Sequence, residues 1–246
     1  MSTIDRDYTD PRLAALYEPL NPWGPCDDYY LELIRSAASV LDLGCGAGQL
    51  LRRAAAEGDS RALVGVDVAP AMLAEAARAD AGVVWLHGDA RTIDVGRRFE
   101  LATMTGHAFQ VFLTDDDVRA VLSNVWRHLE PGGRFAFETR NPSARAWEGW
   151  ATLTSRVESP SGEDVEVTLE SVRLLEPDIV ELSAMYRFAS GASVESAGTL
   201  RFIDPQHLRA LLEGAGYRVD GWFGDWDRTP VSSASPEVIV VATRPS

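Results

Sequence analysis

The chain has 246 residues, of which 46% are hydrophobic and 24% charged, with a formal net charge of -14 and a sequence pI near 4.7. This length suits one α/β domain with an insertion, or a domain with a small partner. The negative charge repels phosphate backbones and anionic lipids, which argues against nucleic acid or a membrane as the substrate. All 23 basic residues are arginine, so a Schiff-base lysine and a P-loop lysine are excluded.

Residues 1–39 are predicted to form a helical cap. A short helical run over 10–19 ends in a proline, a loop follows, and an amphipathic helix is expected over 27–38. No stretch has the apolar core of a signal peptide or the length of a membrane span, so we expect a cytoplasmic location. Cys26 and Cys45 are too few for a disulfide framework and lack metal-site spacing, so no metal is predicted.

A buried strand over Ser39–Leu43 runs into a turn with glycine at every second position, Gly44, Gly46 and Gly48. Glycine lets the backbone turn sharply and approach a ligand where a Cβ would intrude. A strand, a glycine turn and a helix N-terminus together make a nucleotide-like binding site. A dinucleotide turn requires G-x-G-x-x-G, and Gln49 stands where its third glycine would be.

The run Asp42-Leu-Gly-Cys-Gly-Ala-Gly resembles motif I of the class I S-adenosylmethionine (SAM) methyltransferases, D-x-G-x-G-x-G. The segment 64–73 is similar to motif II of that family, although Ala69 replaces a serine that is common before its proline. Asp67 ends the second strand, at the position where a carboxylate accepts hydrogen bonds from both ribose hydroxyls. The alternative is that Asp67 only caps the next helix.

Two later turns extend the resemblance. Gly88-Asp89-Ala90 follows a third strand and is similar to the segment that holds the adenine amino group and ring. A fourth strand, 99–104, leads to His107, which could take a proton from an acceptor hydroxyl or amine, since imidazole titrates near neutrality. The alternative is a histidine that bonds backbone or cofactor without moving a proton. The Asp/Asn-Pro-Pro-Tyr of the family's amino-methylating nucleic-acid enzymes is absent at this point, in agreement with the charge.

A helix over 114–129, a Pro-Gly-Gly turn and a fifth strand over 134–139 come next, and this Leu-x-Pro-Gly-Gly pattern is also frequent in the family. Arg140 leaves the strand at the ligand edge. It either binds an acceptor carboxylate in bidentate fashion or pairs with a structural acid such as Glu138.

The α/β rhythm stops at about Thr152, and residues 151–202 alternate as strands of an antiparallel meander. An insert at this place commonly roofs the acceptor pocket in small-molecule methyltransferases, and an oligomer surface is the alternative. Residues 203–246 complete the fold with a helix, a sixth strand over 217–223, a loop containing Asp225 and a closing strand over 236–242.

The resemblance implies an α/β fold in one domain, 1–246. It has a doubly wound, mostly parallel sheet of seven strands with an antiparallel last strand, a SAM-binding core over 40–142 and the inserted β meander. It also implies in-line transfer of a methyl group from SAM to N or O of a small-molecule acceptor, a natural product being one candidate, with S-adenosylhomocysteine as the product. A non-catalytic SAM-binding regulatory or scaffold protein and an NAD-dependent oxidoreductase are the alternatives. The chain is expected to be a monomer or homodimer.

The candidate site residues are of three kinds, some taken from the family's motifs and others from their own chemistry and position. His107 is the catalytic candidate. The cofactor-binding candidates are Tyr17, Asp42, Gly44, Cys45, Gly46, Gly48, Asp67, Val68, Met72, Gly88, Asp89, Ala90, Thr105 and Gly106. The acceptor-binding candidates are Trp23, Phe109, Arg140, Asn141, Trp147 and Asp225. Tyr17 and Trp23 are aromatics that could contact a sulfonium or a substrate, or else pack helices against the sheet.

Overall fold

The computed structural model describes residues 4–58, 60–79, 82–151 and 153–246. The first three residues of the expected cap, and Thr152 at the start of the expected insert, lie outside this range.

A seven-stranded sheet forms the centre of the molecule, with the strand order β10-β11-β5-β4-β1-β2-β3. Its strands are β1 Ser39–Leu43, β2 Ala62–Asp67, β3 Val84–His87, β4 Phe99–Met104, β5 Leu129–Arg140, β10 Arg218–Phe223 and β11 Glu237–Thr243. Only β11 runs antiparallel to its neighbours, β5 and β10. The predicted doubly wound sheet with an antiparallel last strand is therefore confirmed.

Helices cover both faces of this sheet. They are α1 Arg6–Thr9, α2 Pro11–Ala14, α3 Tyr17–Leu20, α4 Pro25–Arg35, α5 Gln49–Ala55, α6 Pro70–Ala76, α7 Asp115–His128 and α8 Pro205–Gly214. Short 3-10 helices span Ala108–Val111, Pro142–Ala144 and Ala146–Gly149. Successive side chains of β1 point to opposite faces, so Leu41 packs in the core beneath α7 and α8 while Val40 packs beneath α4 and α5. No helix in the described ranges is long and apolar enough to cross a bilayer.

A second, antiparallel sheet has the order β6-β7-β8-β9. Its strands are β6 Thr154–Glu158, β7 Asp164–Glu176, β8 Ile179–Phe188 and β9 Ser193–Arg201. The sequence predicted the last three strands but not β6, a short edge strand of mostly exposed residues with no apolar alternation to mark it. One face of this sheet buries apolar side chains against Leu13 and Leu16 of the N-terminal segment, and its exposed side chains form cross-strand ion pairs such as Arg173–Glu181.

The carboxyl ends of the parallel strands meet at one edge of the large sheet. The N-terminal helices α1–α3 lie between this edge and the second sheet, and the Asp7 N–H donates to Ser196 Oγ on β9 over 2.9 Å. We call α1–α3 and β6–β9 together the roof. The fold thus places the glycine turn, the end of β4 and the end of β5 beneath one cover.

The predicted turn before the fifth strand lies inside β5, as a bulge. β5 begins at Leu129 and includes the Pro-Gly-Gly segment, but Leu129 pairs with Phe99 and Arg134 with Leu101, so residues 130–133 loop out of the register with β4. Gly132 has a φ of 83°. The Gly132 N–H donates to the Arg244 carbonyl over 2.8 Å, and the Arg244 N–H donates to the Gly133 carbonyl over 2.9 Å, so the chain beyond β11 pairs with this bulge.

Candidate functional site

The glycine turn requires a backbone that other residues rarely adopt. Gly44, Gly46 and Gly48 have φ values of 69°, 54° and 79°, in the left-handed region that favours glycine. The Gly44 and Cys45 N–H groups both donate to the Val66 carbonyl, over 2.8 and 3.0 Å. The turn is thus held against the end of β2.

Asp67 joins the turn to β2 at its last residue. Oδ2 accepts the Gly46 N–H and Oδ1 accepts the Ala69 N–H, each over 2.8 Å. The residue is only 8% exposed, and burial raises the pKa of the carboxyl. The structure therefore shows a capping-type contact just before α6, and because each carboxylate oxygen can accept more than one hydrogen bond, a ligand hydroxyl can still donate to this group.

Asp42 lies beneath the same turn on β1. Its Oδ1 accepts the Thr103 hydroxyl over 2.8 Å, and Oδ2 has no hydrogen-bond partner among the described residues. Burial raises the pKa of Asp42 to about 7, assisted by the charges of Asp67 and Glu138 and opposed by the Thr103 hydrogen bond. Two buried acids so close together favour a cationic ligand, and SAM carries a sulfonium and an ammonium group.

Asp89, predicted to contact adenine, pairs with an arginine of its own turn. Its carboxylate accepts the Arg91 N–H, Nε and Nη2, with the Nη2 contact at 2.6 Å. Arg91 also pairs with Asp117 on α7. Both carboxylate oxygens of Asp89 thus accept hydrogen bonds from Arg91, two residues away. The glycine-aspartate pattern in the sequence does not indicate this local pair.

The other cofactor candidates surround the turn. Met72 is buried beside Gly46, with its Cε 3.2 Å from the position of a Cβ at Gly46. Val68 is 39% exposed at the end of β2. Ile93 packs directly on Gly88, and the Ala90 carbonyl accepts Asn124 Nδ2 over 2.9 Å.

Tyr17 bridges the glycine turn and the end of β4. Its ring lies 3.7 Å from the Cβ position of Gly46, and its hydroxyl lies 3.1 Å from that of Gly106. Burial raises the pKa of Tyr17 to about 12, with further contributions from Asp67 and Glu138. The side chain therefore contributes to the roof over the site, next to Thr105 and Gly106.

His107 sits at the end of β4 with a φ of 61°, directly after Gly106 at 66°. Its backbone N–H donates to Glu138 Oε1 over 2.6 Å, and its Nε2 lies 3.0 Å from Glu237 Oε2. Since a carboxylate only accepts, Nε2 is the donor in this contact. Nδ1 has no hydrogen-bond partner in the described ranges.

Glu138 is buried on β5 and also accepts the hydroxyl of Tyr30. Burial raises the pKa of Glu138, while the nearby His107 lowers it. Glu237 begins β11 and lies opposite Arg140 in the strand register. We call Tyr17, His107, Glu138, Arg140 and Glu237 the edge cluster.

Arg140 is not paired with Glu138, contrary to the structural alternative. Its Nη1 donates to Gln110 Oε1 over 2.8 Å, and its guanidinium lies over the ring of Trp150, 4.9 Å from the centroid. Burial lowers the pKa of Arg140, and the charges of Glu237 and Glu138 oppose that shift.

Three acceptor candidates are engaged in packing or backbone contacts. Phe109 is buried and stacks on Phe137 with ring centroids 4.2 Å apart. Trp147 is 8% exposed and packs on Phe202 at 4.5 Å. Asn141 donates to the Ser232 and Ser235 carbonyls and accepts the Ser143 N–H, so its polar groups are engaged. All three side chains thus make their described contacts within the protein, and their roles in acceptor binding stay predictions.

Two further candidates make contacts away from the edge cluster. Trp23 donates its indole N–H to Asp28 over 2.8 Å beside α4 and α5. The Asp225 carboxylate accepts the N–H of Trp226 over 2.7 Å, and the Trp226 ring packs on Tyr30 behind Glu138.

Sequence reasoning missed Glu237, Gln110 and Trp150 as site residues. Glu237 is the first residue of an otherwise apolar closing strand, and an acid at that position is a usable signal once the antiparallel register is known. Trp150 takes the place expected for Trp147, three residues later. Among the described residues, no three His, Cys, Asp or Glu side chains form a group that could hold a metal ion.

Comparison with known proteins identifies the core. A family model described as a methyltransferase domain matches residues 40–133. The chain is similar to the cypemycin N-terminal methyltransferase of a Streptomyces species, with 28% identity over 84% of this chain and 83% of the relative. It is 36% identical to a dTDP-4-amino-2,3,4,6-tetradeoxy-D-glucose N,N-dimethyltransferase of Saccharopolyspora spinosa, over 50% of this chain and 52% of that protein.

The fold agrees with this match. The SAM-bound structure of CalS10, an amino pentose methyltransferase from Micromonospora echinaspora, superposes with a TM-score of 0.70 and 24% identity over 94% of this chain and 95% of that one. Residues 40–133 thus match a methyltransferase domain, and the fold is shared with SAM-dependent methyltransferases of known structure. The predicted SAM-dependent methylation of a small molecule, with SAM as the cofactor, is borne out by this domain match and by the methyltransferases to which the chain is similar.

Proposed function

We propose that this methyltransferase transfers the methyl group to an amine nitrogen of a small molecule, a reaction of the EC 2.1.1 type. The edge cluster supports this proposal most directly. It brings two carboxylates, Glu138 and Glu237, and a histidine with a free Nδ1 to the end of β4, beside the glycine turn.

The chemistry of an amine fits these groups. An amine reaches the enzyme mainly as an ammonium ion, which the carboxylates of Glu138 and Glu237 attract. It must lose a proton before its lone pair can attack, and His107 Nδ1 can accept that proton because Glu237 stabilises the imidazolium formed. SAM supplies an electrophilic methyl group on its sulfonium. The remaining contribution of the protein is alignment and exclusion of water by the roof.

The relatives support an amine as the acceptor. The two relatives compared above are named as a cypemycin N-terminal methyltransferase and as an N,N-dimethyltransferase of a dTDP-linked amino sugar. Methylation of a hydroxyl, the other acceptor class, gains less from two carboxylates at the acceptor position, because a neutral hydroxyl has no charge for them to hold.

For the cofactor, we propose the glycine turn with Asp42, Asp67 and Tyr17 as the principal binding residues. Asp67 offers its free lone pairs to the ribose hydroxyls, and Asp42 Oδ2 offers an acceptor to a cationic group. Cys45, Val68, Met72, Gly88, Ala90, Thr105 and Gly106 would line the same site. Asp89 would contribute only if Arg91 releases its carboxylate.

The roof is proposed to be one functional part of a single domain. Its exposed side chains form the ion pairs Arg156–Glu166, Arg173–Glu181 and Arg187–Glu170, which suit a solvated surface better than an apolar oligomer interface. We also propose that the protein is cytoplasmic and is a monomer or a homodimer.

Calorimetric titration with SAM, S-adenosylhomocysteine and NAD tests the cofactor site. Asp67→Ala is expected to weaken SAM binding by about 100-fold or more, since it removes a charged acceptor from a buried site. Asp204→Ala is the matched control, because Asp204 likewise accepts two backbone N–H groups, at the start of α8. Equal losses in the two variants would show that Asp67 serves only as a cap.

Paired acceptors test the reaction itself. Amines and the corresponding alcohols, including amino sugars and short peptides, are incubated with SAM while S-adenosylhomocysteine and a methylated product are measured. The proposal expects turnover of amines and not of their alcohols. Turnover of the alcohols alone would favour O-methylation, and tight SAM binding without any turnover would favour the regulatory or scaffold alternative.

A further inference from the structure

The guanidinium of Arg140 is held rigidly at the edge cluster with part of its hydrogen-bonding edge unused. Nη1 donates to Gln110 Oε1, and Trp150 covers one face. Gln110 is itself fixed, because it is 1% exposed and its Nε2 donates to the Arg201 carbonyl at the end of β9. The Nε and Nη2 groups have no hydrogen-bond partner among the described residues.

Neighbouring acids do not satisfy these donors. Glu138 accepts from Tyr30 and His107, and Glu237 from His107. Arg140 forms no ion pair within the described ranges, whereas more exposed arginines such as Arg12, Arg35 and Arg173 do. A largely buried cation without an ionic partner is unfavourable unless a ligand supplies one.

The geometry of the two unpaired donors of Arg140 selects the ligand. Nε–H and Nη2–H point the same way in the guanidinium plane and match the two oxygens of a carboxylate. We call this pair of donors the fork. Two nearby carboxylates favour a monoanion over a more highly charged phosphate, since repulsion grows with ligand charge.

The position argues for the acceptor and against the cofactor. β5 is separated from β1 by β4, so Arg140 lies about 10 Å across the sheet from the strand that leads into the glycine turn. His107, the proposed proton acceptor, comes from β4 between them. Its imidazole reaches Glu237 on β11, on the far side of β5 from the glycine turn. An anion on Arg140 therefore lies two strands from the cofactor turn and close to the strands that hold Glu237 and His107.

We propose that Arg140 binds a carboxylate of the methyl acceptor, so that the acceptor carries both an amine and a carboxylate, as an amino acid or a related metabolite does. This inference rests on the proposed amine methylation. It assigns Gln110 and Trp150 as positioning residues, which keep the fork in place before the acceptor arrives and so reduce the entropy lost on binding.

Thermal unfolding of the S-adenosylhomocysteine complex tests the proposal with benzoate, benzamide and inorganic phosphate as probes. Benzoate is expected to raise the unfolding temperature by a few degrees and benzamide to leave it unchanged, since only the former binds the fork. The shift should disappear in Arg140→Gln, which keeps a donor for Gln110, and shrink in Arg140→Lys, which keeps the charge without the fork. Arg209→Gln is the matched control, because Arg209 also lies over a tryptophan ring, Trp222, at 4.6 Å.

A benzoate shift that persists in Arg140→Gln, stabilisation by phosphate but not benzoate, or no effect of benzoate on the wild type would each overturn the proposal. The unliganded Arg140→Gln protein is expected to unfold at the wild-type temperature or above. A clear drop, together with an undiminished benzoate shift in Arg140→Lys, would indicate a purely structural role.

Turnover separates this inference from the function on which it rests. Phenylalanine and phenylalaninamide are compared as acceptors, with SAM affinity measured on every variant. Preference for phenylalanine that is lost in Arg140→Gln, at unchanged SAM affinity, supports the proposal. Equal methylation of both acceptors would overturn the carboxylate site and leave amine methylation standing, whereas SAM binding without methylation of any amine would overturn the proposed function.

Discussion

The buried carboxylate of Asp42, near the end of β1, makes the stability of the fold depend on pH. Asp42 has a pKa of about 7 in the unliganded fold and 3.8 as its ordinary value. The folded state therefore binds the proton more tightly than the unfolded state. The stabilisation that comes from protonated Asp42 is fully present below pH 4 and is lost as the pH rises to about 7.

Asp42→Asn is expected to remove this pH dependence. At pH 8 the unliganded variant should be more stable than the wild type by up to about 4 kcal/mol, while the two should be similar near pH 4. The Thr103 hydroxyl can still donate to the amide oxygen. Urea unfolding at both pH values measures the effect, and a difference independent of pH would contradict it. SAM affinity should rise with pH in the wild type and stay low in the variant.

The pair His107–Glu237 is expected to control the rate of turnover. Glu237→Gln should lower kcat by about 10- to 100-fold, because the imidazolium formed on proton transfer loses its carboxylate. His107→Asn suits the left-handed φ of this position and should cost about 100-fold or more. Both variants should bind SAM as the wild type does. An unchanged kcat in both variants would assign this pair a purely structural role.

At the scale of elements, the glycine turn is constrained by its neighbours as well as by φ. A Cβ at Gly48 would overlap the Trp85 ring and lie 2.9 Å from Ala76 Cβ. Gly58 has a similar φ of 82°, and no atom lies within 4 Å of its Cβ position. Alanine substitutions at Gly58 and Gly48 therefore distinguish the cost of backbone strain alone from the added cost of steric crowding.

Gly58→Ala is expected to cost about 1 to 2 kcal/mol of unfolding free energy from the left-handed backbone alone. Gly48→Ala should cost about 1 to 3 kcal/mol more because of the crowding, and it should weaken SAM binding. Denaturant unfolding compares the two variants directly. Equal costs would mean that α6 and β3 adjust freely around the turn.

The elements with strong local signals could be predicted from the sequence. The glycine turn, the apolar strands and the alternating strands β7–β9 each carry their pattern within about ten residues. The edge cluster could not be predicted in full, because Glu237 reaches His107 only through the register between β11 and β5. Phe109 and Trp147 were assigned to the acceptor by their position along the chain, whereas burial of their large rings places them in the core.

For the molecule as a whole, the roof joins the N-terminal helices to the second sheet through acidic residues. Asp5 lies against Gly198 on β9, and Asp7 bonds Ser196. Burial raises the pKa of Asp5 to about 6, and the neighbouring charge of Asp7 adds to the shift. Docking of this segment should therefore be firm below pH 4 and weaken as the pH rises to about 6.

Hydrogen exchange of residues 5–20 at pH 5 and pH 8, corrected for intrinsic rates, tests this expectation. Protection in the wild type should be lower at pH 8, and Asp5→Asn should keep its protection at both values. Ser196→Ala should reduce protection at both. Protection that is the same at both pH values in the wild type would show that Asp5 does not regulate docking.

The second sheet is one uninterrupted stretch of chain between β5 and α8, yet its apolar face is completed by Leu13 and Leu16, some 140 residues earlier. An exchange of β6–β9 alone between related genes would leave that face against foreign partners. Recombinants that keep their solubility should therefore inherit residues 5–20 and the inserted strands from the same parent. A library built to alter acceptor choice should exchange those two segments as a pair.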